Sequence, residues 1–251
     1  MSTKKKDSKN ILTQSVCQNH LTFDIDWAPD ASIDEIRKII NPLGIKATFF
    51  VTHSSDILKD LIKDGHEIGI HPNFLTGSSH GDKPEKVIEF LLNIAPNARA
   101  LRTHALVQSS PLLNTIYSNF PQLEYDFSIF MYGFPLIKKF EWQFEGTKFA
   151  RINYNWEDDA AFFQSEFNWN KPFFPGSLNI YDFHPIHIHL NSSDNSSYNL
   201  LKKSYTSLSS IDGRKIAEFA NSGYGAKTFL TVLTTSLAHF IDFERLLCVS
   251  E

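Results

Sequence analysis

The sequence predicts an α/β fold in which parallel strands alternate with helices. Apolar stretches of strand length alternate with segments of helical periodicity three times in about the first hundred residues. Such strand-helix-strand units form parallel sheets with right-handed crossovers. A length of 251 residues fits one large domain of this class. The pattern therefore indicates an α/β barrel or a doubly wound sheet.

The first unit begins with a strand over residues 21–26. Side chains alternate between the two faces of a strand. The alternation places Leu21, Phe23 and Ile25 on one face and Thr22, Asp24 and Asp26 on the other. Ser32 and Glu35 then match a capping box, and Gly44 marks the end of the helix that follows.

The later elements follow from the same periodicities. Further strands are predicted at 46–52, 66–70, 98–103, 123–127 and 178–183, and helices at 56–64 and from 82 onward. Residues 140–144 and 147–154 flank Glu145-Gly146 in the manner of a hairpin, and apolar spacing over 229–237 predicts a closing helix. We expect a flexible tail at 1–18 and a single domain over 19–251.

Composition excludes several classes of protein. The net charge is −4, with 24 basic and 28 acidic residues, so there is no basic footprint for nucleic acid or for a membrane surface. Cys17 and Cys248 give neither a disulfide framework nor a metal-type cysteine pair. No apolar stretch approaches the ~20 residues that span a membrane, and 11–16 is too short and polar for a signal sequence. We expect a cytoplasmic protein without stable membrane insertion, and its oligomeric state stays open.

The aspartates at the end of the first strand are an electrostatic anomaly. Asp24 and Asp26 would lie roughly 7 Å apart on one face, where like charges repel and partial burial adds to the cost. A divalent cation bound by one carboxylate removes that cost and leaves the other free as a base. Taken alone, the pair fits equally well with a solvated strand end before the turn at Pro29.

Other polar side chains follow other predicted strands. His71 and His184 stand at strand ends, and Arg102 and His104 share a strand face. Active sites of parallel α/β folds lie at the carboxyl edge of the sheet. The convergence of these residues with the two aspartates predicts a site at that edge.

Several segments carry a resemblance to a known family. Residues 22–26, Thr-Phe-Asp-Ile-Asp, resemble the first motif of the polysaccharide deacetylases, the NodB-homology enzymes of carbohydrate esterase family 4. Residues 46–51 and 65–71 resemble the next two landmarks, and Arg102 resembles the arginine of the third motif. Asp-Phe-His-Pro at 182–185 resembles the fifth motif. The similarity is clear over about residues 20–105 and weaker as far as Leu190.

The string after the third strand is similar to one branch of this family. His71-Pro72-Asn73-Phe74, followed by Ser79-His80-Gly81, resembles a divergent WbmS-like branch associated with bacterial surface-polysaccharide synthesis. The resemblance implies a deformed (β/α) barrel of about seven parallel strands. It also implies a divalent-metal hydrolase that removes an acyl group from an N-acylated sugar.

The resemblance further implies a set of metal ligands. Asp26 and His71 match family ligands directly. The family places a second histidine three or four residues after the first, where this chain has Leu75, so His80 is the candidate third ligand. One carboxylate and two imidazoles suit zinc, with cobalt or nickel as alternatives.

A hydrolytic mechanism assigns the other residues. Asp24 is the expected base, and Arg102 is expected to pair with it and keep it ionised. His184 is the expected acid that protonates the departing amine, and His187 or His189 could replace it. His104, Trp156 and Asp158 are assigned to the substrate-binding side, with Trp156 stacking on a sugar face and Asp158 orienting His184. An acidic helix N-terminus explains 156–159 equally well.

Three functional interpretations follow. The leading one is a metal-dependent N-deacetylase that acts on a glycan precursor, a sugar nucleotide or a surface polysaccharide. A second is hydrolysis of a small cyclic or linear amide. The third is a catalytically silent glycan-binding or structural metal domain, because the second histidine is displaced from its usual place.

Overall fold

The computed structural model describes residues 17–144, 146–236 and 238–248. Residues 1–16 of the flexible tail expected at 1–18 lie outside these ranges. The strands are β1 (Gln18–Asp24), β2 (Ala47–Val51), β3 (Glu67–Ile70), β4 (Ala100–Leu101), β5 (Tyr125–Phe130), β6 (Lys139–Phe144), β7 (Thr147–Tyr154), β8 (Trp156–Glu157), β9 (Leu178–Phe183) and β10 (His239–Phe240). The helices are α1 (Asp30–Ile40), α2 (Ile57–Lys63), α3 (Pro84–Ile94), α4 (Ser110–Asn119), α5 (Asp158–Ala161), α6 (Pro185–Leu190), α7 (Ser196–Ser204), α8 (Gly213–Ala217), α9 (Ala226–Thr235) and α10 (Phe243–Leu247).

The strands form one sheet in the order β6-β7-β5-β4-β3-β2-β1-β9-β8, and β10 pairs with β1. Of the described pairings, β6 with β7 is antiparallel and the others are parallel. Helices connect the successive parallel strands from β1 to β5, as the alternating periodicities predicted, whereas β6 joins the parallel strands β5 and β7. The hairpin predicted around Gly146 is the β6-β7 pair.

The sheet curves into a barrel-like shape. Tyr154 ends β7 near one end of the strand order, and Trp156 begins β8 at the other end. Because two residues span at most ~7 Å, the sheet has to bend until its ends meet. The intervening Asn155 donates its backbone N–H to Ile180 on β9 at 3.2 Å, which ties the ends together. The predicted α/β class with a deformed barrel is confirmed, although no ladder among the described strands closes the circle.

The core lies between this sheet and its helices. Phe23 of β1 and Phe49 of β2 are completely buried and stack at 4.8 Å between ring centroids. Ile33, Ile36 and Ile40 form the buried face of α1, at the three- and four-residue spacing of an amphipathic helix. Burial of each such side chain contributes about 1.5–3 kcal/mol, so these contacts hold the strand ends in place.

The start of α1 differs from the sequence prediction. The helix begins at Asp30 after Pro29, and no side chain caps it. Ser32, the predicted cap, lies inside the helix and is completely buried. Its hydroxyl lies 3.0 Å from His189 Nδ1 on α6. Ser32 therefore bonds a residue far along the chain instead of capping the helix.

No helix in the described ranges has both the length and the apolar character needed to cross a membrane.

Candidate active site

The loops that follow neighbouring parallel strands bring the predicted polar residues to one edge of the sheet. Asp24 is the last residue of β1, and Asp26 belongs to the turn after it. Asp26 and Trp27 have positive φ angles of 45° and 55°, which non-glycine residues rarely adopt. The backbone N–H of Trp27 donates to Thr52 Oγ1 at 3.0 Å and fixes this turn against the end of β2. Backbone strain of this kind is found at functional sites.

Asp26 lies against two histidines from different loops. Its Oδ1 is 3.2 Å from His71 Nε2 and 3.0 Å from His104 Nδ1, and these two nitrogens are 3.3 Å apart. His71 Nδ1 lies 2.7 Å from the carbonyl of Arg102, to which it can only donate, so the neutral ring directs an Nε2 lone pair toward Asp26. Asp26 Oδ1 is buried and has no hydrogen-bond partner. The three atoms fit a shared cation.

The charge on Asp26 agrees with this geometry. Burial opposes the ionisation of Asp26, but hydrogen bonds from His104 and His71, when these rings are protonated on the facing nitrogens, hold the pKa of Asp26 well below its usual range. A carboxylate with two imidazoles is a common zinc ligand set with an open position. The residues at this place therefore fit a divalent metal, with Asp26, His71 and His104 as the ligands.

His80 is placed differently from the sequence expectation. Its Nδ1 accepts the backbone N–H of Asn73 at 3.2 Å, and its buried ring packs against Trp27 and Phe90 at about 5 Å between centroids. The group of ligand atoms that the structure brings together contains His104 and not His80. His104 could have been considered as a ligand from the sequence, because the strand alternation that places it on one face with Arg102 also places it at this edge of the sheet.

Arg102 pairs with Asp24 as expected. Its Nη1 donates to Asp24 Oδ1 at 3.0 Å, and the guanidinium is completely buried. The same Nη1 donates to Asp182 Oδ1, a partner that the sequence analysis did not identify. Asp182 precedes His184 by two residues and therefore shares its strand face, which was the available signal. Burial disfavours the charged form of Arg102, but Asp182 and Asp24 raise its pKa.

His184 follows β9 and lies near both Asp26 and Asp24, and its imidazole is held by Asp158. Asp158 accepts the imidazole Nδ1 at 2.7 Å and the backbone N–H of His184 at 2.9 Å. His184 Nε2 is 3.8 Å from Asp26 Oδ2, so it faces the candidate metal position. Burial lowers the pKa of His184, but Asp159 and Asp158 outweigh it and raise the pKa well above its usual value. A protonated imidazole at this place can donate a proton.

The two alternative acids bond elsewhere. His187 Nε2 is 3.0 Å from Asp159 Oδ1, and its Nδ1 is 3.2 Å from Ser192 Oγ. His189 bonds Ser32 on α1. Both belong to α6, which begins immediately after His184, and neither is a member of the groups of candidate ligand atoms that the described residues form around Asp26 and His184.

Trp156 does not offer a face to a sugar. Its side chain is 0% exposed and packs against Phe183 and Phe229 at 4.8 and 4.6 Å between centroids. This corrects the expectation of a stacking platform, because an apolar ring at a barrel-like seam is held by the core. Trp27 is the tryptophan at the site: it is partly exposed, and its ring lies 5.4 Å from that of His104.

Comparisons with known proteins identify the family and the fold of this chain. The model of the family described as "WbmS-like: Polysaccharide deacetylase" matches residues 21–202. The solved structure of WbmS from Bordetella bronchiseptica, a proposed polysaccharide deacetylase involved in O-antigen biosynthesis, is 31% identical, with a TM-score of 0.72. That alignment covers 86% of this chain and 89% of the other. No curated protein sequence matches the chain.

More distant structures are also similar. A family 4 carbohydrate esterase from Bacillus anthracis is 16% identical, with a TM-score of 0.43 over 92% of this chain and 83% of the other. A family 4 acetyl xylan esterase from Clostridium thermocellum, solved with a cobalt ion, is 14% identical, with a TM-score of 0.37 over 67% of this chain and 74% of the other. Neither likeness is close enough to carry an argument.

Proposed function

The chain belongs to the WbmS-like polysaccharide deacetylase family, and from this premise we propose that it is a metal-dependent hydrolase that removes an N-acyl group from a sugar. The observation that carries the proposal is the convergence of Asp26, His71 and His104, whose facing atoms lie 3.0–3.3 Å apart, beside the buried side chains of Asp24 and His184. A structural metal site needs no such pair of proton-transfer groups beside it.

The proposed metal is held by these three side chains, and zinc, cobalt and nickel all suit the ligand set. When bound, the ion would lower the pKa of a water molecule and polarise the acyl carbonyl. Asp26 would supply the negative charge, and the two neutral imidazoles would complete the site. The hydrogen bond from His71 Nδ1 to the backbone carbonyl of Arg102 fixes the ring orientation that this role requires.

Asp24 is proposed as the base. Arg102 bonds its Oδ1, and its Oδ2 lies 3.6 Å from His71 Nε2, at the edge of the proposed metal site. The free oxygen is therefore placed to take a proton from an attacking water. The hydrogen bond from Arg102 holds Oδ1, so the orientation of the carboxylate is fixed.

His184 is proposed as the acid. Amide hydrolysis requires protonation of the departing nitrogen, because an amine anion is a very poor leaving group. Asp158 holds the imidazole through Nδ1, so Nε2 faces the reacting centre. Trp27 is proposed to contact the substrate beside His104, in place of the buried Trp156.

The proposed substrate is an N-acylated, most simply N-acetylated, sugar of a surface-polysaccharide precursor. This follows the O-antigen assignment of the Bordetella relative. The test is acetate release from nucleotide-linked and lipid-linked N-acetyl sugars by protein loaded with zinc, cobalt or nickel. We expect release from at least one sugar class and none from metal-free protein.

Two results would contradict the proposal. One is stoichiometric metal binding with no acyl release from any sugar. The other is release from small cyclic or linear amides alone, which would favour the second interpretation of the sequence.

A further inference from the structure

We propose that Asp182 is a positioning residue for this reaction: it holds the Arg102 guanidinium so that only one oxygen of Asp24 is bonded and the other stays free to take a proton. The inference rests on the proposed function and assigns a role to a carboxylate that does not contact the candidate metal ligands. It concerns Arg102, Asp24 and Asp182, which β4, β1 and β9 bring together.

The donors of Arg102 are divided among four acceptors. Nη1 donates to Asp24 Oδ1 at 3.0 Å and also to Asp182 Oδ1. Nη2 donates to Thr22 Oγ1 at 2.9 Å, and Nε donates to the Phe127 carbonyl at 3.2 Å. The Thr22 hydroxyl lies 2.9 Å from Asp182 Oδ1 and can donate to it. Asp182 and Thr22 thus form one acceptor unit for the guanidinium.

This division differs from a two-point pairing of Arg102 with Asp24. Arginine and carboxylate frequently pair through two parallel hydrogen bonds, which engage both oxygens. A two-point pair with Asp24 would engage Oδ2, the oxygen that faces His71 Nε2 at 3.6 Å. Because Asp182 and Thr22 take the neighbouring donors, Asp24 receives one bond and keeps Oδ2 for water.

The plane of the guanidinium is fixed as well. Phe50 and Tyr154 lie over it, with ring centroids 4.7 and 4.1 Å from Cζ. Arg102 and Asp182 are both completely buried. Without Asp182, the guanidinium could shift within its plane, keep its contacts with these two rings and pair with Asp24 through two bonds.

Asp182 holds Arg102 through its acceptor oxygen Oδ1, and this role does not require a negative charge on Asp182. Burial raises the pKa of Asp182 well above its usual range, against the opposing effect of Arg102. An asparagine keeps a carbonyl oxygen where Oδ1 accepts from Arg102 and Thr22, whereas a leucine of similar size keeps none. The two substitutions therefore separate the role of the acceptor from that of the fold.

The experiment compares Asp182→Asn and Asp182→Leu in metal-loaded protein, with kcat, KM, bound metal and Tm measured for each. We expect Asp182→Asn to keep kcat within about threefold of wild type. Asp182→Leu is expected to lower kcat about 100-fold, in line with the loss from misplacing a catalytic group by ~1 Å, with KM and bound metal unchanged. Equal loss of kcat in both variants, or full kcat in Asp182→Leu, would overturn the inference.

A matched control lies elsewhere in the same sheet. Asp126 is also completely buried and pairs with an arginine, Arg151, at 2.6 Å. Asp126→Leu and Asp182→Leu are both expected to lower Tm, because each removes a buried partner of an arginine. Asp126→Leu is expected to leave kcat unchanged. If Asp182→Leu does not fold, Thr22→Val is the variant that tests the inference. We expect Thr22→Val to lower kcat three- to tenfold, and an unchanged kcat in this variant would overturn the inference.

A crystal structure of Asp182→Leu, or of Thr22→Val if the former does not fold, tests the geometry without a substrate. A guanidinium paired with both oxygens of Asp24 supports the inference, and an unchanged single bond overturns it. Failure of the proposed function, with no acyl sugar hydrolysed by wild-type protein, would leave this structural result standing, so the two failures are distinguishable.

Discussion

Asp24 closes β1 and Asp26 follows two residues later, yet their surroundings differ. Asp24 is bonded by a buried guanidinium, which is a permanent cation. Asp26 faces His71 and His104. A neutral imidazole directs a nitrogen lone pair outward, so this group of atoms is suited to binding a metal cation. The comparison shows that two identical side chains on one short segment obtain different chemistry from partners far along the chain.

The largest expected effect comes from exchanging the two aspartates for asparagine one at a time. Asp24→Asn is expected to lower kcat about 10²- to 10⁴-fold, the usual contribution of a general base, while bound metal stays stoichiometric. Asp26→Asn is expected to lose the metal itself. Acetate release and elemental analysis of the purified variants measure both. Full turnover by Asp24→Asn would remove Asp24 as the base.

The second test sharpens the Asp26 side of the comparison. His104→Gln is expected to weaken metal binding at least about 100-fold, because it removes one of three protein ligands. His80→Gln serves as the matched variant and is expected to keep metal affinity within a few fold. Calorimetric titration with zinc measures both dissociation constants. The opposite ranking would restore His80 as the third ligand.

A third test concerns the acid that faces Asp26. Asp158→Asn is expected to lower kcat about 10- to 100-fold with little change in KM, because the imidazole of His184 loses the carboxylate that orients it. His184→Gln should cost more than His187→Gln, which changes the neighbouring imidazole on α6. Steady-state kinetics on the same substrate decide between them. A larger loss in His187→Gln would make His187 the acid.

The smallest effect tests a residue of β1 that has only structural partners. His20 is completely buried, and its ring nitrogens lie 2.9 Å from the Ile241 carbonyl and from Thr48 Oγ1. Burial is the main cause that lowers the pKa of His20 to about 4. Its contribution to stability is therefore complete above the unfolded pKa of 6.5 and is lost as pH falls toward 4.

Urea unfolding at pH 7 and pH 5 checks this sign. Between these two values the wild-type free energy of unfolding should fall by about 2 kcal/mol more than that of His20→Gln, which cannot titrate. Other acid-sensitive groups are common to both proteins, so the difference isolates His20. An equal fall in both proteins would show that His20 does not carry this pH dependence.

The fold was largely predictable because its signals are local. Alternating side chains in β1 and the three- and four-residue spacing of Ile33, Ile36 and Ile40 are properties of neighbouring residues. The start of α1 was not predictable, since Ser32 is held by His189 rather than by a cap. Very short strands such as β8 have too few residues to show a period.

The site was predictable in its members more than in their roles. Asp24, Asp26, His71, Arg102 and His184 were all expected at the carboxyl edge, because parallel strands end at the same side. The sequence placed His104 on that edge but could not show that it comes within 3.0 Å of Asp26. Trp156 looked like a sugar platform until the curvature of the sheet buried it in the core.

The sequence by itself determined the α/β class, the strand ends that carry polar groups and the family to which they belong. Periodicity and motif order are encoded within short stretches of chain, so no tertiary information is needed to detect them. The tertiary structure alone decided that His104 meets Asp26 and His71 and that Asp182 shares Arg102 with Asp24. These pairings join segments up to about 160 residues apart, and their distances depend on how the curved sheet packs, which no local pattern specifies.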